Sequence, residues 1–245
     1  MKLFPLYHHR IILLVFLLLS TVSLFGNPAA SLLDSSSLLG TAEKAIYSAD
    51  MEIFNGNSSK SRKLIIYRET SGSDVFNLLA QVTSPAFLSN MKLLVLKDGQ
   101  QESRWMKTSR GVRSIASSGR KETIFDSDLD TDDLVDIESS QFSISLVKDL
   151  GTEVCLSARE IATGFSRTIT VDQDSQLITH IDYYDANNIL YKTYELLETT
   201  IIEGYAFPQK GRINSIKDNT HTDLTFTSIE LPTSISTRIF NRHQL

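Results

Sequence analysis

Between residues 49 and 231 the chain runs almost entirely in period two. Phe142, Ile144 and Leu146 alternate with Ser143 and Ser145, and Phe165, Ile169 and Val171 alternate with Ser166, Thr168 and Thr170. Successive side chains of a strand point to opposite faces, so this pattern dictates a sheet with one apolar and one wet face. One residue breaks phase: Arg167 falls on the apolar side of its segment. Turn clusters punctuate the series, among them NGNSS at 55–59, DGQQ at 98–101 and DANN at 185–188, the residue types of tight turns. The alternation predicts about eleven antiparallel strands, with no repeat period and no Pro- or Gly-rich linker. The reading is one domain over residues 31–245, α+β in class and mainly β. A sheet of this size twists and curls, and its concave face must be filled by side chains, a helix or a ligand.

One helix is expected, over residues 34–50. Leu38, Leu39, Ala42, Ala45 and Ile46 recur at helical spacing behind Ser35–Ser37 as caps. Its apolar face needs a cover, which the curled sheet supplies. A loop or short helix near residues 131–136 is the other element available to lie over the concave face.

The first thirty residues have the layout of a secretory signal peptide. Lys2, His8, His9 and Arg10 precede an apolar run, Ile11–Leu19, and a small-residue region ends in NPAA. Cleavage is expected between Ser23 and Ala30. An uncleaved anchor is the alternative, although about 20 apolar residues make a comfortable span. No cysteine follows the run, so there is no lipid-attachment signal. The expected location is the periplasm, without a lipid anchor. Losing Lys2 and Arg10 takes the formal charge from −5 to −7, a balance opposed to non-specific nucleic-acid binding.

Chemistry-bearing residues are few. Cys155 is the only cysteine; it cannot form an internal disulfide and is read as a buried, inert thiol. His180, His221 and His243 have no metal-ligand spacing, and there is no nucleophile elbow, P-loop or dinucleotide fingerprint. No enzyme activity and no cofactor are expected. Asp126, Asp128, Asp130 and Asp132 alternate as calcium ligands do, but Thr131 and Ile137 stand where such a loop needs glycine and glutamate. Capping of a short helix is the plainer reading. The basic residues Lys107, Arg110, Arg113, Arg120 and Lys121 surround a hairpin and either meet an acidic partner or discourage edge pairing.

Several segments carry a resemblance. WMKTSRGVRSI over 105–115 resembles a W-x-Y-x-P…V-R-R-I hairpin. IFDSDLDTDDL over 124–134 resembles an F-x-G-S-D-F…D-L segment, carried by Ser127, Asp128, Asp133 and Leu134. RTITVDQDSQLITHIDYYDANNILYKTYEL and EGYAFPQKGRI follow in matching order. Together they resemble the outer membrane lipoprotein-sorting proteins, relatives of the periplasmic carrier LolA, over residues 49–240. Ser109 replaces the hairpin proline, Lys107 an aromatic residue, Asp126 a glycine and Leu129 a phenylalanine.

The resemblance implies an unclosed β-barrel with helices over its concave face. It also implies a carrier or chaperone for lipoprotein acyl chains or other lipids moving toward the outer membrane. A membrane transporter or an outer-membrane acceptor would be the partner, and the protein would act as a monomer without nucleic acid. The expected apolar lining is Leu94, Leu96, Trp105, Phe125, Phe142, Ile144, Leu146, Phe165 and Ile169, all of which also suit an ordinary core. The expected mouth comprises Arg110, Arg113, Ser127, Asp128 and Asp133. The alternative is a periplasmic sensor or accessory module with the same fold and no lipid transfer.

Overall fold

The computed structural model describes residues 27–72, 75–116 and 121–245. The expected leader therefore lies largely outside the described residues. One helix, α1 (Pro28–Ser35), precedes thirteen strands: β1 (Lys44–Asn55), β2 (Ser58–Ser71), β3 (Val75–Ser84), β4 (Lys92–Asp98), β5 (Gln101–Thr108), β6 (Gly111–Ser114), β7 (Phe142–Asp149), β8 (Glu153–Glu160), β9 (Ser166–Asp172), β10 (Ile178–Tyr184), β11 (Leu190–Ile202), β12 (Tyr205–Ser215) and β13 (Thr220–Glu230). Among the described residues no helix is long and apolar enough to cross a membrane.

The strands form one antiparallel sheet in the order β6-β5-β4-β3-β2-β1-β13-β12-β11-β10-β9-β8-β7. Every neighbour is also a sequence neighbour except β1 and β13, which join the two halves in the middle. The free edges, β6 and β7, follow one another in the chain. Pairing them would close the barrel; the chain between them is instead a long connection, described over residues 115–116 and 121–141. The count is thirteen rather than about eleven, and short β6 pairs with β5 from Thr108↔Gly111 to Trp105↔Ser114. Ser109 and Arg110 form that two-residue turn. Gly111, at φ 117°, supplies the backbone freedom, so the hairpin survives without its proline.

The expected helix over 34–50 does not form. The helix lies earlier, where Asn27 caps it by accepting from the Ala29 N–H and Pro28 occupies its first turn. Residues 44–55 are a strand because their true period is two: Ala45, Tyr47, Ala49, Met51 and Ile53 are buried and their neighbours are not. Leu38, Leu39 and Ala42 are buried as foreseen, but on an extended segment. Ser37 bridges Leu177 through backbone hydrogen bonds from Ser37 to Gln176 and from Ile178 to Ser37.

Two apolar layers result. The larger fills the concave side, where Leu33 of α1, Leu38 and Leu39, and Ile124, Phe125, Leu129, Leu134, Val135 and Ile137 of the connection meet inward residues of the strands. The smaller lies on the outer face, where Ile235 and Phe240 of the C-terminal tail cover Leu79 and Leu94. Cys155 points outward and is half-buried rather than buried, because Val154 and Leu156 take the inward positions of β8.

Gly40 holds the segment after α1 against β12. A Cβ there would lie 2.5 Å from the Phe207 ring and 3.0 Å from the Ala206 carbonyl oxygen, and its φ is 102°. Gly40→Ala is expected to lower stability by about 2–4 kcal/mol, combining overpacking with backbone strain. Gly111→Ala, with open space around it, is expected to cost only about 1 kcal/mol. Chemical denaturation of both variants tests the contrast, and equal losses would contradict the packing role of Gly40.

Candidate functional site

The concave face carries five buried cations. Arg62 and Arg68 on β2, Arg104 on β5, Arg167 on β9 and Lys192 on β11 sit in phase with apolar inward residues of their strands. A buried charge is costly unless paired, and the connection supplies carboxylates. Lys192 Nζ donates to Asp130 Oδ2 at 2.5 Å and to Asp133 Oδ1 at 2.8 Å. Arg104 donates to Asp132 at 2.6 Å, to Thr131 Oγ1 at 2.7 Å and to Glu102 at 2.6 Å. Arg167 reaches the other oxygen of Asp132 at 3.2 Å. Arg68 donates to Asp136 at 2.6 Å and to the Ala42 carbonyl at 2.8 Å, while Ser37 Oγ donates to Asp136 at 2.7 Å. Arg62 donates to the Ser61 carbonyl at 2.9 Å, and its contact with a carboxylate, the largely exposed one of Asp126, is long, 3.9 Å.

Two features place these acids. Asp130 caps the single turn Thr131–Leu134, with Asp133 returning the hydrogen bond to the Asp130 N–H at 2.7 Å. Ahead of it, Phe125 and Asp126 adopt φ values of 56° and 52°. Asp126 thus stands in a left-handed conformation, at the position where the resemblance leads us to expect glycine. The Ser127 hydroxyl closes that turn by donating to the Ile124 carbonyl at 2.7 Å. Asp128 ties it to β13 by accepting from the hydroxyls of Thr220 and Thr222.

The alternating acids do not converge on a common point. Asp128 faces β13, Asp130 faces Lys192, Asp132 faces Arg104 and Arg167, and Asp126 is mainly solvated. The mouth residues also separate. Ser127, Asp128 and Asp133 belong to the connection, Arg110 is exposed at the hairpin tip, and Arg113 pairs with Glu122 at the surface. Of the nine lining candidates, Phe125 and Ile169 are buried on the concave side, where Phe142 and Ile144 pack partly buried. Phe165 is half-buried under the Lys121 ammonium, 3.1 Å from the ring centre. Leu94, Leu96 and Trp105 face the opposite side beneath the C-terminal tail, and Leu146 is 56% exposed on edge strand β7. Residues 93–95 are buried on both faces, so alternation could not tell inward from outward there.

The space left on the concave side is small. A gap of about 30 Å³ lies among Leu38, Leu39, Leu129, Leu134, Tyr194 and Phe226, room for a water or two. Larger clefts open to solvent at the rim, one of about 230 Å³ beside Phe76, Lys97, Asp136 and Glu138.

The charges inside are unequal in their comfort. Burial opposes the Lys192 charge, but two carboxylates more than offset it and raise its pKa. Burial likewise works against Arg104 and Arg167, whose neighbours hold them protonated. Asp130 is pushed up from 3.8 to about 6, first by burial and then by Asp133, with Lys192 pulling the other way. One ammonium shared by two acids explains why the lysine gains while this acid loses. Tyr183 is raised by burial and by Asp133, to which its hydroxyl donates at 3.0 Å.

These pairings generate two expectations. Lys192→Met should destabilise the fold by about 3–5 kcal/mol at neutral pH, because it strands two buried carboxylates; adding Asp130→Asn and Asp133→Asn should restore part of the loss in urea denaturation. The second concerns pH. A folded-state pKa above the unfolded one means that the folded protein takes up the proton first. Asp130 therefore costs stability above pH 6, and this cost fades as the pH falls toward 3.8. Relative to Asp130→Asn, the wild type should gain stability between pH 7 and pH 4; a constant difference would contradict the assignment.

The comparisons with known proteins bear on the same fold. A family model described as "Uncharacterized protein" matches residues 77–245. No curated protein matches the chain. A DUF1329 family protein from Desulfovibrio piger superposes with a TM-score of 0.77 at 19% identity, covering 88% of this chain and 95% of that one. An outer membrane lipoprotein-sorting protein domain from Vibrio parahaemolyticus gives 0.74 at 15% identity, covering 82% and 90%. A LolA superfamily protein from Nitrosomonas europaea gives 0.67 at 13% identity, covering 91% and 100%. The resemblance read from the sequence thus meets the same structural neighbours. With a LolA-like open barrel and a model match over most of its length, the chain belongs to the family described as "Uncharacterized protein".

Proposed function

We propose that the protein is a periplasmic carrier, exported by its N-terminal leader, that holds acyl chains of lipoproteins or other lipids between the concave sheet face and residues 121–141 of the connection. The observation that carries this reading is the nature of the cover. The apolar concave face is covered by a connection held through side-chain ion pairs, not by a paired strand. Such a cover can leave without breaking the ladder of the main sheet. The arrangement described above is the closed state, and the reading includes no catalytic step.

Magnitudes set a condition on the ligand. Lifting the connection uncovers Ile124, Phe125, Leu129, Leu134, Val135 and Ile137, at a cost of roughly 12 kcal/mol when each side chain counts for about 2. Each buried methylene of an acyl chain returns about 0.8 kcal/mol. Short chains fall below that cost and long chains match it. The carrier hands its cargo to an outer-membrane acceptor or takes it from a membrane transporter.

A second reading, a sensor or accessory module without lipid transfer, is favoured by the small size of the gap on the concave side, about 30 Å³. Titration of the purified protein with a fluorescent hexadecanoyl probe separates the two. The carrier requires saturable binding, displaced by hexadecanoate and not by octanoate. Absence of saturable binding, together with recovery of a membrane protein in a lipid-free pull-down, would establish the module instead.

A further inference from the structure

We infer that Arg104, Arg167 and Lys192 form a head-group site, which takes the phosphate or carboxylate of an anionic amphiphile in place of Asp132, Asp130 and Asp133 once the connection lifts. This rests on the carrier reading and adds the chemical class of the ligand.

Arg104 comes from one half of the sheet and Arg167 from the other, and they hold the two oxygens of a single carboxylate, Asp132, between them. Lys192 Nζ contacts both Asp130 and Asp133. Besides Glu102 on β5, the three side chains hold three carboxylates, and each of those three belongs to the segment that must leave. Guanidinium groups match carboxylate and phosphate oxygens in a planar fork, and an ammonium adds a point charge. The closed protein thus presents an internal copy of an anionic ligand.

A cover needs no such charges to stay shut, since well-packed apolar residues hold as firmly as a buried ion pair. With the connection lifted, a neutral chain would lie along a face whose cations have lost the carboxylates of the connection. An anionic head group replaces them. The same face also has unused donors: Arg62 Nε and Arg68 Nε are buried and have no acceptor. A small cleft at the seam, lined by Glu102, Arg104, Asp132, Phe142, Glu160 and Arg167, brings solvent to this point. Glu102 keeps its hold on Arg104 Nε at 2.6 Å, which orients the remaining guanidinium edge toward the site.

The test compares head groups at constant chain length, using protein expressed from the full sequence. Hexadecanoate is set against hexadecanol, hexadecanoyl lysophosphatidic acid against monohexadecanoylglycerol, and inorganic phosphate is titrated alone. The anionic member of each pair should bind at least about tenfold tighter, the scale of a charge-assisted hydrogen bond. Arg167→Gln should lower that ratio and leave binding of the neutral member in place, whereas Asp132→Asn should raise it. The wild-type ratio does not depend on either variant folding. Equal affinity within both pairs overturns the head-group site and leaves the carrier reading standing, while no binding of any amphiphile overturns both. Inorganic phosphate binding as tightly as lysophosphatidic acid would mark a site for free anions and overturn the amphiphile assignment.

Discussion

Asp132 lies between Arg104 and Arg167, and this contact spans the opening between the two ends of a sheet that backbone pairing leaves unclosed. Strands β6 and β7 are consecutive in sequence, yet they stand at opposite edges. Elsewhere each strand is held by a ladder of backbone hydrogen bonds. At the seam that work passes to side chains of the connection: apolar residues drive it inward, and carboxylates set where it rests. Burial alone is non-directional. Pairing Asp130 and Asp133 with Lys192, and Asp136 with Arg68, makes any shifted placement strand a charge.

The same device explains how local strain is tolerated. Phe125 and Asp126 occupy left-handed backbone, which disfavours residues other than glycine. The cost is offset by burial of Phe125 and by the contacts of Ser127 and Asp128 around the turn. An apolar face closed by a clamped but unpaired segment is a suitable basis for the reversible opening we propose, which would leave the rest of the sheet unchanged.

Legibility varied with the range of the interaction. The strands were readable because alternation is local, and the tight turns because they depend on a few residues. The helix was misplaced because Leu38, Leu39, Ala42, Ala45 and Ile46 fit a helical period by coincidence, while the longer alternation from Ala45 to Ile53 fits two. Leu94, Leu96 and Trp105 lie on the opposite face from Phe125 and Ile169, because alternation distinguishes two faces without saying which is concave. Arg167 was visible as a cation in phase with apolar residues. Arg68, Arg104 and Lys192 carry the same signal, as Leu64, Ile66, Met106 and Tyr194 share their faces. A lone cation on an apolar face has no meaning until its partner is known.

By itself the sequence determined an antiparallel, mainly β chain with tight turns and an acidic connection, because strand period and turn chemistry act between near neighbours. Only the tertiary structure decided that β1 meets β13, that the sheet stays open between β6 and β7, and that the acids of the connection fill the opening against interior cations. Those outcomes depend on the curl of the whole sheet, which brings Arg104 and Arg167, 63 positions apart in the chain, to the two sides of one carboxylate.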